Sequence, residues 1–76
     1  MSDGGMAPTV GRIVIYKSYG TPNGEYKSED RAAIVTKVNA EEFTVGLCIM
    51  NPTGLFFNES VKQGDEAGQW NWPVRV

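Results

Sequence analysis

The chain contains no histidine. That absence removes the commonest zinc ligand, the usual general base at neutral pH and every histidine-dependent catalytic triad. Cysteine occurs once, at Cys48, so neither an intrachain disulfide nor a thiol-rich zinc site can form. A nucleophilic thiol needs a lowered pKa and a base partner. Without histidine, Cys48 reads instead as a small, partly buried hydrophobe. No apolar run approaches the roughly 20 residues needed to cross a bilayer. The opening residues, Met1 to Pro8, carry neither the basic nor the apolar segment of a secretory signal. The expected setting is therefore the cytoplasm of a cell, or a virion assembled there, with no membrane association.

Clustered charge is also missing. Seven Lys and Arg face nine Asp and Glu, a formal net charge of −2, with both signs scattered. Neutralising phosphates takes grouped cations, so the pattern argues against nucleic acid as a partner. Gly20 to Gly24 lacks the Lys-Ser/Thr end of a phosphate-binding loop and precedes no helical pattern. The acidic pairs Glu29-Asp30, Glu41-Glu42 and Asp65-Glu66 are sequence neighbours, and neighbours on a strand point to opposite faces. They read as solvated turn charge, and nothing in the pattern calls for a metal or a cofactor. Helical periodicity is absent as well: no window places apolar residues at i, i+3, i+4 and i+7.

What remains is a pattern of short strands in 76 residues, enough for one domain. Residues 1–9 are small and punctuated by glycine and proline, and are expected to form a disordered tail preceding a domain over 10–76. Strands are predicted at Val10–Tyr16, Arg31–Val38, Glu42–Met50, Leu55–Asn58 and Trp70–Trp72. In the first, Ile13 and Ile15 share one face while Val14 and Tyr16 share the other. In the third, Phe43, Val45, Leu47 and Ile49 make one apolar stripe, with Thr44, Gly46, Cys48 and Met50 opposite. A long first loop spans 17–30, with a turn at Thr21-Pro22-Asn23-Gly24, and Asn51-Pro52-Thr53-Gly54 has the residues of a type I turn. Phe56 and Phe57 must lie on opposite faces, so one of them is expected at a sheet edge or an oligomer contact. Five strands with turn signals between them predict an all-β fold, a small five-stranded SH3-like barrel with little or no helix.

The aromatic residues carry the functional expectation. Tyr16, Trp70 and Trp72 meet if the first and last strands are neighbours, and Tyr19 and Tyr26 extend the group from the long loop. Such side chains combine an apolar body with a polar tip and suit binding surfaces. The competing reading is that both indoles fill the core. Arg12 and Arg31, with Lys17, supply cations that could hold a phosphate beside a stacked base.

The segments Gly11-Arg12-Ile13-Val14-x-Tyr16, Arg31-Ala32-Ala33-Ile34-Val35 and Gly68-Gln69-Trp70-Asn71-Trp72-Pro73 together resemble a family of short tailed-phage and environmental proteins. The match runs in order over residues 11–73. The resemblance implies a phage or phage-derived origin and brings no activity with it. Its members often carry histidine at the positions held here by Ile15 and Asn71. Two functions follow as expectations: a non-enzymatic interaction or accessory module that binds a protein partner or self-associates, or a module that sequesters a small nucleotide signal used in host defence.

Overall fold

The computed structural model describes residues 7–20 and 27–73. The expected turn at Thr21–Gly24, Tyr26 and most of the N-terminal tail lie outside them. Five strands, all antiparallel to their neighbours, form one sheet: β1 (Ile13–Lys17), β2 (Asp30–Asn39), β3 (Thr44–Asn51), β4 (Gly54–Lys62) and β5 (Trp70–Asn71). The described residues include no helix. The order β4-β3-β2-β1-β5 is a four-strand meander whose first strand then receives the last.

The two-residue period places Val14 and Tyr16, Ala33 and Val35, Val45, Leu47 and Ile49, Val61, Trp70 and Trp72 on one buried inner face. At the β3–β4 connection Asn51 pairs with Gly54, leaving Pro52 and Thr53 as a two-residue loop. Proline locks φ near −65° and so bars the mirror-image turns usual in hairpins.

Curvature is concentrated at Gly46. Thr36 is an additional residue in β2, between the pairs Val35–Leu47 and Lys37–Gly46. On the other side, Glu59 and Ser60 in β4 intervene between Asn58–Leu47 and Val61–Val45. Bulges bend strands and increase their twist, and here two flank one glycine. A Cβ at Gly46 would stand 3.1 Å from Thr36 Oγ1 and 3.2 Å from Lys37 Cβ. The curl brings distant strands together: the Asn58 side chain of β4 comes close to the Tyr16 side chain of β1. In a flat sheet those strands would lie about 14 Å apart with side chains perpendicular to the plane, too far to meet.

The sheet is nevertheless not closed along its edges. β4 and β5 approach through one isolated bridge, Gln63–Trp70, with the Gly64 amide donating to the Trp70 carbonyl at 2.9 Å. Several strand limits also differ from expectation. β1 starts at Ile13, because Gly11 adopts φ 95° and a turn links the Arg12 amide to the Thr9 carbonyl. β3 starts at Thr44, since the hairpin closes on the Asn39–Thr44 pair and leaves residues 40–43 as its loop. Phe43 therefore does not join the inner stripe; it sits in the loop at φ 57° and is 85% exposed. β4 runs on to Lys62, because Val61 pairs with Val45 and is buried although its neighbours are polar.

Candidate functional site

The β1 register places Arg31 on one side of Tyr16 and Trp70 on the other, one cross-strand row on the inner face. Trp72 follows two residues after Trp70 and meets it edge to face, ring centroids 5.3 Å apart at 86°. Such a pair adds about 0.5–1.5 kcal/mol beyond the area it buries. The Arg12 guanidinium lies 5.1 Å from the centre of the Trp72 ring, within cation–π range. Tyr16, Trp70 and Trp72 are all buried, so both indoles are part of the core. Arg31 is paired with Glu29 at 3.7 Å. Its Nε and both indole N–H groups find no acceptor among the described residues.

Five of the residues named from sequence, Arg12, Tyr16, Arg31, Trp70 and Trp72, thus share the inner face. Tyr19 stands apart: it is 70% exposed, with its hydroxyl end lying on the backbone of Gly68. Gly68 has φ 82°, and any side chain there would collide with that tyrosine. Tyr26 is outside the described residues. Burial raises the Tyr16 pKa above its ordinary value, the neighbouring Tyr19 phenol raises it further, and the nearby Asn58 side chain partly offsets both.

An open groove of about 400 Å³ lies on the other side of β1 and β5, lined in part by Ile15, Lys17, Asp30, Asp65, Asn71 and Trp72. Asn71 organises it. Its Nδ2 donates to Asp65 Oδ1 at 2.8 Å, while its Oδ1 accepts from Gln63 Nε2 at 3.3 Å and from the Trp72 amide at 2.9 Å. Ile15 and Asn71, the positions given to histidine by the resemblance, are direct cross-strand partners here. Lys17 faces two carboxylates, Asp30 and Asp65, so the groove has no anion-selective charge.

The outer face of the sheet is the largest feature that sequence reasoning missed. Ile13 pairs with Ile34, Ile34 with Cys48 and Cys48 with Phe57, giving one apolar row across four strands. Two residues along, Ile15, Ala32, Met50 and Leu55 form a second row by the same pairings. None of the eight is charged or hydroxylated. Ile13, Leu55 and Phe57 are each 60% or more exposed. Each strand carries a second apolar pair at two-residue spacing, which was a visible signal. Only the register between strands turns four separate pairs into one surface.

Among the described residues no group of three or more His, Cys, Asp or Glu side chains is placed to hold a metal ion, and no helix is long and apolar enough to cross a membrane. No protein-family model, curated protein or solved structure matches the chain.

Proposed function

We propose that this chain is a non-enzymatic interaction module that presents the outer face of its sheet to a protein surface. The observation that carries the reading is the pair of apolar rows, eight side chains set four wide and two deep, on the exposed side of a sheet whose other side already holds the core. Fully burying a residue such as Phe57 or Leu55 releases about 1.5–3 kcal/mol, so a small domain gains more from covering this face than from leaving it wet. Contiguous apolar patches of this kind mark contact surfaces. The finer architecture belongs to the same proposal: an SH3-like barrel open at one seam. It is supported by the contact of Tyr16 with Asn58, the Gln63–Trp70 bridge and the double bulge at Gly46. The phage setting rests on the three sequence segments quoted above.

The nucleotide-sequestering reading has weaker support. Base stacking needs a free aromatic face, and the two indoles are buried against each other with Arg12 over Trp72. Arg31 is engaged by Glu29.

The test compares immobilised wild type with an Ile13→Glu/Phe57→Glu variant in pull-downs from phage-infected bacterial cells. Retention of specific protein, itself included, by wild type and its loss in the variant is the expected result. Equal retention by both, or none by either, overturns the reading. A thermal shift with cyclic or linear nucleotides that survives in the variant would favour sequestration instead.

A further inference from the structure

We infer that the groove beside β1 and β5 binds a small zwitterion of the α-amino-acid class. Asp30 and Asp65 hold its ammonium group, while Lys17 and the Trp72 indole N–H receive its carboxylate. The inference goes beyond the interaction-module reading and does not depend on what meets the outer face.

Charge is the first argument. Lys17 and Asp30 are direct cross-strand partners on β1 and β2, and Asp65 joins them in the groove wall. The one ion pair among the described residues is Arg31 with Glu29, so Lys17 is paired with neither carboxylate. One cation and two anions left unpaired around a concavity complement a ligand that carries both signs. A simple anion would meet two carboxylates there, and a simple cation would meet Lys17.

The groove is also built in advance of any ligand. The Lys17 amide donates to the Gln69 carbonyl at 2.9 Å, and the Lys17 carbonyl accepts from the Gly68 amide at 2.7 Å. Asn71 orients Asp65 through Oδ1. The turn that carries Asp65 closes on itself: Gln69 Oε1 accepts from the Glu66 amide at 3.0 Å and lies over Gly64, where a Cβ would overlap it. Walls fixed in this way need no ordering when a ligand arrives.

Trp72 supplies the third argument. It is only 9% exposed yet forms part of the groove wall, and its indole N–H has no acceptor among the described residues. Buried donors are normally paired. A carboxylate entering beside Lys17 brings the acceptor that this indole lacks. Ile15 and Pro73 add apolar wall, which suits an aliphatic side chain. The volume of about 400 Å³ lies within the range of small-molecule sites and is ample for one amino acid.

The experiment titrates the full chain with L-leucine and follows the two indole N–H resonances by NMR. The Trp72 resonance should move and saturate, with a dissociation constant on the order of 1 mM. The Trp70 resonance should move less. Isocaproate is leucine without its ammonium group, and isoamylamine is leucine without its carboxylate. Each should bind at least about tenfold more weakly than leucine. Asp30→Asn/Asp65→Asn and Lys17→Met should each weaken leucine binding by about tenfold or more. Asp30 and Asp65 are exposed and Asn keeps their shape, so circular dichroism of that variant should match wild type. Should it not fold, Lys17→Met carries the test. Phe57→Glu, three strands from β1, should leave leucine binding unchanged.

Leucine that moves neither resonance overturns the inference, as does a shift that grows without saturating. Isocaproate or isoamylamine binding as tightly as leucine does the same, since one charge would then suffice. So does leucine binding that is unaltered in either charge variant. Loss of leucine binding in Phe57→Glu would move the site to the outer face and overturn it too.

Discussion

Phe43 and Gly46 sit where a side chain is, respectively, unfavourable and crowded. Phe43 holds φ 57° with 85% of its surface in water. The left-handed region costs a side-chain-bearing residue roughly 1–2 kcal/mol that glycine does not incur, so Phe43→Gly should raise stability by about 1 kcal/mol in urea unfolding. Its place in the alternating run Phe43-Thr44-Val45-Gly46-Leu47 made it look like core, because period-two patterning says nothing about where a hairpin closes. Gly46 is the converse case. A methyl there would press on Thr36 Oγ1 and Lys37 Cβ, so Gly46→Ala should cost about 1–2 kcal/mol. Shortening Thr36 to glycine in that background should recover part of it. At Tyr16 the raised pKa sets a pH dependence. The folded state holds the phenol proton more tightly than the unfolded state, whose value is near 10.0. The stabilisation is therefore complete below that value and is lost as pH rises through the higher folded pKa. Tyr16→Phe should flatten the alkaline limb of a stability–pH curve.

At the scale of elements, β5 is two residues long yet contributes Trp70 and leads into Trp72. Trp70→Ala should cost about 3–5 kcal/mol, against a total of only about 4–11 kcal/mol expected for a chain of this size. Chemical denaturation of that variant should show a midpoint far below that of wild type. The adjacency of the first and last strands entered the sequence reading only as the condition that barrel closure would require, and the β1–β5 pairing meets it. The inner stripe of β3 from Val45 onward and the opposed placement of Cys48 and Met50 were legible in the sequence, since alternation alone decides them. The extent of β4 was not. Beyond Asn58 it carries Glu59, Ser60 and Lys62, an exposed edge-strand composition that reads as loop. Only the pairing of Val61 with Val45 reveals the strand. The groove was equally hidden, because Asn71, Asp65 and Gln63 converge through a turn whose geometry no local pattern specifies.

For the whole molecule, one sheet carries apolar side chains on both faces, the inner one buried and the outer one partly exposed. A contact made through the apolar outer face should be strengthened by salts that favour apolar burial, so pull-down retention should rise with added sulfate, which a charge-driven contact would not show. The strand order has a kinetic consequence as well. Among β1 to β4 every pairing joins sequence neighbours, so the meander forms with shorter loop closures than the β1–β5 pairing needs. The β1–β5 pairing joins Tyr16 to Trp70, the one strand pairing among the described residues between distant parts of the chain. Because distant pairings bear the larger entropic cost, the meander should assemble first and the tryptophan segment dock last. Until it does, the free edge of β1 and the Leu55-Phe56-Phe57 edge of β4 are both open to other chains. Yield on refolding should therefore fall as protein concentration rises, and a peptide spanning residues 63–73 added in trans should restore part of it.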